Sequence, residues 1–141
     1  MANVAPVTIN DGKATPVAHV FNPVENRNGR LVHEDRTVST SFIGAWKLTH
    51  QLVRPTGPAK AANRNLHLTV RVEAPVLETL GTADSGLTPP PTIAYRLVGE
   101  ASFTISERAS KIERKDIRTL LANALIAAPA VAMVDDLESF W

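Results

Sequence analysis

The chain predicts an α+β fold: an N-terminal β-hairpin, an antiparallel β-meander and two C-terminal α-helices. Three observations carry this. Segment 65–74 alternates apolar and polar residues with a period of two. Segment 107–141 carries its apolar residues at helical spacing behind a capping signal. Asp11-Gly12 sits between two short apolar runs, a hairpin signal because glycine accepts positive φ. Strands followed by helices, without alternation, give α+β rather than α/β.

The elements follow in order. Val4–Ile9 and Thr15–Phe21 flank Asn10-Asp11-Gly12-Lys13 and make a hairpin within 1–22. Asn22–Gly29, with Pro23 and three asparagines, reads as a loop. Arg30–His33 is a short strand opening a sheet that spans 30–105. Val38–Val53 reads as a strand with a bulge or bend at Gly44. Within it Trp46, Leu48, His50 and Leu52 take one face and Lys47, Thr49, Gln51 and Val53 the other. Arg54–Arg64, with Pro55, Gly57 and Pro58, is a turn rich in positive charge. In Asn65–Ala74, Leu66, Leu68, Val70 and Val72 alternate with His67, Thr69, Arg71 and Glu73, and Pro75 ends the strand. Segment 78–92 is a long exposed loop stiffened by Pro89, Pro90 and Pro91. Ile93–Ile105 returns to strand, kinked at Gly99.

In the helix pair, 107–141, Ser110 and Glu113 form a capping box. Ile112, Ile117, Leu120, Leu121, Ala124, Leu125 and Ala128 trace one stripe, with Glu113, Arg114, Lys115 and Arg118 off it. Pro129 opens a second helix whose apolar face is Val131, Val134, Leu137 and Phe140. A helix pair added to one small sheet needs more surface to cover than that sheet offers. This points to a partner subunit and an assembly role.

Composition bounds the rest. The 141 residues suit one domain, able to bury roughly 70% of its unfolded surface. Net charge is +1, so affinity for nucleic acid requires charge gathered on one face. The chain has no cysteine, which excludes disulfides, thiolate metal sites and cysteine nucleophiles. The N-terminus lacks the basic and apolar regions of a secretion signal, and no apolar run approaches the ~20 residues of a membrane span. A soluble protein with no membrane partner is expected.

The polar faces Lys47, Thr49, Gln51 and His67, Thr69, Arg71 would form one surface on neighbouring strands. Its cations, hydroxyls and amide match phosphate attraction plus base-edge hydrogen bonding. On the last strand Val98, Glu100 and Ser102 share one parity and join that face. The same alternation also describes the solvated side of an ordinary antiparallel sheet. The four histidines, His19, His33, His50 and His67, show no metal-ligand spacing, and no metal or other cofactor is expected. His50 falls on the apolar parity, as a core or interface histidine. His33-Glu34-Asp35 is expected on a loop surface, and Asp135-Asp136 in a solvated turn. Trp46 reads as core and Trp141 as a subunit contact. No G-x-S-x-G, P-loop or G-x-G-x-x-G is present, so neither an enzyme nor a small-molecule substrate is indicated.

Three sets of strings, in this order and spacing, carry a family resemblance. The first is Ala45-Trp46-Lys47-Leu48-Thr49, then Asn63-Arg64 and Leu68-Thr69-Val70-Arg71-Val72-Glu73-Ala74-Pro75. The second is Ala94-Tyr95-Arg96 leading to Ser102-Phe103-Thr104. The third runs from Glu113-Arg114 through Leu120-Leu121-Ala122 to Pro129, Asp135-Asp136-Leu137 and a terminal aromatic. The chain thereby resembles the coat proteins of single-stranded RNA bacteriophages, the leviviruses. The first 40 residues match only in type, including Phe21-Asn22-Pro23 and Asn28-Gly29.

The resemblance implies an interlocked homodimer with a continuous sheet, each subunit's helices lying over its partner's sheet. Dimers would close an icosahedral virion shell, assembled in the bacterial host cytoplasm. The opposite sheet face would bind a genomic RNA hairpin, for packaging and for translational repression. Carried over by position, Thr49 and Thr69 line pockets for unpaired adenines, Lys47 and Arg71 hold phosphate, and Gln51 is a polar neighbour. Tyr95 has the wrong parity for the family's base-stacking tyrosine. The basic loop of Arg54, Lys60 and Arg64 would add nonspecific attraction, and loop 78–92 would meet its copies at symmetry axes. The rival reading is a small dimeric α+β RNA-binding regulator that forms no shell.

Overall fold

The structure is a computed structural model that describes residues 4–39, 41–56, 64–78, 81 and 89–139. Strands β1 (Val7–Asn10), β2 (Ala18–Arg27), β3 (Arg30–Asp35), β4 (Trp46–Val53), β5 (Asn65–Leu77) and β6 (Ile93–Ser106) pair in sequence order. All neighbours are antiparallel. Helices α1 (Lys111–Leu125) and α2 (Ala128–Asp135) follow, bent by 53° at the break between them. Neither helix is long and apolar enough to cross a membrane.

The N-terminal hairpin closes through Asp11. Its Oδ1 accepts from the backbone N–H of Val17 at 2.8 Å and its Oδ2 pairs with Lys13 Nζ at 2.8 Å. The Lys13 ammonium and these N–H groups hold the Asp11 carboxyl well below the usual carboxylate range. The predicted loop over Asn22–Gly29 is mostly strand: β2 continues to Arg27, pairing with β3. Pro23 is accommodated because the register shifts between Pro23 and Glu25, a bulge where a missing N–H is tolerated. The reversal is confined to Asn28-Gly29, with φ of 52° and 75°, the positive pair of a tight hairpin turn. A Cβ at Gly29 would meet the Leu52 carbonyl oxygen, and the Gly29 carbonyl accepts from Leu52 N–H at 2.8 Å.

Three further expectations are corrected. Residues 38–39 and 41–45 are not strand: β3 ends at Asp35 and a 3₁₀ turn, Phe42–Gly44, leads into β4. Pro75 does not end β5, which runs on to Leu77; pairing with β4 stops at Glu73, so only β6 flanks the proline. Gly99 is not a kink, since it pairs opposite Val72 in an unbroken ladder whose irregularity falls between Val76 and Leu77. The base of segment 78–92 is tied by Glu78 N–H to Thr92 carbonyl at 2.9 Å and by the Thr92 hydroxyl to Glu78. Most of that loop, Lys60, Phe140 and Trp141 lie outside the described residues.

His33-Glu34-Asp35 is not a loop surface either. All three lie in β3 and are buried, His33 and Asp35 almost completely. Asp35 accepts from the Thr37 hydroxyl (2.6 Å), Thr37 N–H (2.8 Å) and His19 Nδ1 (2.8 Å). His19 in turn stacks on Trp46 with centroids 4.6 Å apart. Together with the 3.2 Å bond from His33 Nε2 to the Ala5 carbonyl, this seats the N-terminal hairpin on the apolar side of the sheet. Burial alone would raise the Asp35 pKa, but the Thr37 and His19 hydrogen bonds outweigh it and hold the carboxyl low.

The hydrophobic core of the isolated protomer is small: Phe21, Val32, Ala45 and Leu48 among the described residues. The protomer exposes 11062 Å², whereas a compact monomer of 15.2 kDa exposes about 7,100 Å². Neither helix buries a residue: Ile112, Ile117, Leu120, Leu125 and Val134 stand in solvent, as do Leu97 and Tyr95 of the sheet. The Ser110–Glu113 capping box is formed, so α1 is locally secured without tertiary cover.

Two stability predictions follow from the buried polar groups. Asp35→Ala strands Thr37 and His19 without their acceptor and should cost about 3 kcal/mol, read by urea unfolding. His50 is half-buried with its ring 5.6 Å from that of His33, and burial and then His33 depress its pKa. Its contribution is therefore fully present above the unfolded value of about 6.5 and is lost as pH falls below it. Asp35, also depressed, adds a second loss nearer pH 4. Unfolding midpoints between pH 7.5 and 5 should fall less in His50→Leu than in the parent; identical slopes would refute this assignment.

Candidate nucleic-acid interface

The register of the last three strands decides which side chains meet. Thr49 pairs opposite Arg71, Gln51 opposite Thr69 and Lys47 opposite Glu73. Arg71 lies opposite Glu100, and Thr69 opposite Ser102. Because opposed residues share a face, Lys47, Thr49, Gln51, His67, Thr69, Arg71, Glu100 and Ser102 all project from one side. Val98, opposite Glu73, joins them. Leu48, His50, Leu66, Leu68, Val70, Tyr95 and Phe103 occupy the other side.

An open groove of about 700 Å³ runs across this face, lined by Lys47, Thr49, Gln51, Thr69, Arg71 and Glu100 of the predicted set. Ser102 and His67 share the face but lie beyond the lining; His67 Nδ1 is 3.3 Å from Thr104 Oγ1. Three lining residues were not singled out from the sequence: Arg30, Glu73 and Arg96. Arg96 has the parity of Val98 and Glu100, which already marked it. Arg30 depends on β3 pairing with β4, where it falls opposite Gln51, and no local pattern reveals that.

Four cations and two carboxylates therefore face the groove, a positive excess in a chain of net charge +1. The carboxylates space the cations. Glu73 Oε1 is 3.2 Å from Arg96 Nη1 and Glu73 Oε2 is 3.6 Å from Arg71 Nη2. Glu100 Oε2 lies 3.9 Å from Arg71 Nη1. At these exposures the pairs contribute little to stability, at most about 1 kcal/mol each, but they restrict where each guanidinium points. Arg30 pairs with no carboxylate among the described residues. Thr49 and Thr69, half-buried between the charged side chains, present hydroxyls that both donate and accept. The arrangement can hold phosphates by charge and read base edges through hydroxyl and amide groups. Among the described residues, no group of three or more histidine or acidic side chains is placed to hold a metal ion.

Comparison with known proteins agrees with this architecture. No curated protein sequence matches the chain. Among solved structures, the virus-like particle protein of bacteriophage ESE058 is 36% identical with a TM-score of 0.88, covering 99% of this chain and 100% of its own. The virus-like particle protein of bacteriophage NT-214 is 25% identical with a TM-score of 0.83, over 99% and 100%. An unassembled virus coat protein dimer, a bacteriophage RNA-binding dimer, shares the fold at 18% identity and a TM-score of 0.64, over 99% of each chain. The levivirus coat protein family model matches residues 2–141. Sheet, helix pair and full-length match agree, and the chain belongs to the levivirus coat protein family, whose role is structural rather than catalytic.

Proposed function

We propose that this coat protein dimerises, closes an icosahedral shell and binds a genomic RNA hairpin through the groove face. The observation that carries the RNA reading is the groove itself: cations and half-buried threonines gathered on one sheet face while the apolar residues take the other. Lys47, Arg71, Arg30 and Arg96 hold phosphate, Thr49 and Thr69 contact unpaired bases, and Gln51 hydrogen-bonds nearby. Glu100, Ser102 and His67 border that contact. Hairpin binding marks the genome for packaging and represses translation, in the bacterial cytoplasm where the shell assembles. The virus-like particle and RNA-binding dimer architectures of structural relatives support this reading.

The exposed apolar stripe of α1 and α2 supports an interlocked dimer. The excess over a compact monomer, roughly 4,000 Å² per protomer, is more than enough for an obligate interface, which buries about 1,000–2,500 Å² on each partner. Helices laid over the partner's sheet cover Leu97, Tyr95 and the helix stripe together. Joining two sheets through their β6 edges also removes an unpaired edge.

Negative-stain microscopy of the chain expressed alone in bacteria should reveal uniform round shells containing RNA. Discrete dimers without particles would favour a shell-less RNA-binding regulator. Thr69→Ala and Arg71→Ala should each weaken hairpin binding about tenfold while leaving shells intact. Arg71→Ala should also lower the salt slope of binding by roughly one unit. Unchanged binding in both variants would exclude this face.

A further inference from the structure

Beyond the groove, the turn before β4 carries an aromatic ring that the hairpin reading does not use. Phe42 is 65% exposed, unusual for a ring that gains so much from burial. Its position is fixed from below. Gly44 N–H bonds the Ser41 carbonyl at 3.0 Å, and Ala45 N–H bonds the Phe42 carbonyl at 3.3 Å. Ser41 N–H bonds Ser39 Oγ at 3.1 Å. Gly44 is packed so closely that a Cβ there would lie 2.8 Å from Ser39 Cβ and 2.9 Å from Leu77 Cδ1. The ring is thus held out on a braced turn.

Two cations lie near it. The Arg36 guanidinium lies 5.8 Å from the ring centroid and Lys47 Nζ lies 5.6 Å from it. Glu34, itself buried, anchors both. Its Oε2 accepts from Arg36 Nε and Nη2 at 3.0 and 2.9 Å, and its Oε1 is 3.9 Å from Lys47 Nζ. A pocket of about 240 Å³ opens beside the ring, lined by Arg36, Ser39, Ser41 and Phe42. That is below the ~300–1,000 Å³ of drug-sized ligand sites and suits one planar ring system. Lys47 belongs to both this cluster and the groove, so the two are contiguous.

We propose that Phe42, with Arg36 and Lys47, is a stacking platform for an unpaired base of single-stranded RNA leaving the groove. An exposed aromatic face with cations beside it is what sequence-tolerant single-strand binding requires: a base stacks on the ring while phosphates meet the cations. The serine hydroxyls meet base edges or the ribose 2′-OH. The platform extends the groove reading by a second, independent contact on the strand flanking the hairpin.

The test titrates the full chain, at concentrations below shell formation, with a 5′-fluorescein-labelled hexa-adenylate followed by anisotropy. Phe42→Ala should weaken binding about tenfold. Phe42→Leu, which keeps apolar bulk but no π-face, should weaken it similarly, and Phe42→Trp should match or exceed the parent. A hairpin without single-stranded flanks should bind Phe42→Ala and the parent alike. Unchanged hexa-adenylate binding in Phe42→Ala, or full retention by Phe42→Leu, would overturn the proposal. So would loss of shells with RNA binding intact, which would make the ring a subunit contact. Thr69→Ala on the flankless hairpin reports the groove reading separately, so failure of one is distinguishable from failure of the other.

Discussion

The unbroken antiparallel ladder joining β4, β5 and β6 is the constraint on which the rest depends. From Val53↔His67 to Lys47↔Glu73, and from Asn65↔Ser106 to Val76↔Tyr95, every residue has a fixed opposite. Side chains alternate with a period of two, so a slip of one residue on β5 would send Thr69 and Arg71 to the apolar side and Leu68 and Val70 to the groove. Backbone bonds pin the register at both ends. Glu107 N–H reaches the Arg64 carbonyl at 2.9 Å beyond one end of the β5–β6 ladder, and Glu78 N–H reaches the Thr92 carbonyl beyond the other.

Given that register, a nearly neutral chain acquires a charged face. Its charge is sorted by geometry rather than by composition. Glu73 and Glu100 sit among Arg71 and Arg96 at 3.2 to 3.9 Å, and Glu34 does the same for Arg36 and Lys47. Paired cations keep a defined direction yet remain partly solvated, so the groove presents oriented donors. The carboxylates also moderate the positive field of the groove.

The opposite side follows a different logic. At one end it is closed by the N-terminal hairpin, through the buried His19–Asp35 bond and the stacking of His19 on Trp46. Over the rest, the sheet and the helices present apolar side chains that this protomer leaves in solvent. The capping box lets α1 form on local hydrogen bonds, before any packing secures it. Elements that are locally secure but globally uncovered suit a subunit whose core is completed by association.

The sequence by itself determined the element types, the two-faced β5 and the identity of most groove residues. Period-two alternation, the capping box and Pro129 are local signals, because each is set by neighbours within a few residues. Boundaries were less legible where tertiary pairing overrode local chemistry. Pro23 sits at a bulge and Pro75 where only β6 flanks the strand, so neither proline broke its strand, although sequence reading places a break at each. Only the tertiary structure decided that Arg30 reaches the groove, that His33-Glu34-Asp35 is buried and that Arg36 and Lys47 gather near the Phe42 ring. Those facts depend on β3 lying beside β4, a long-range pairing whose partner strand no local pattern names.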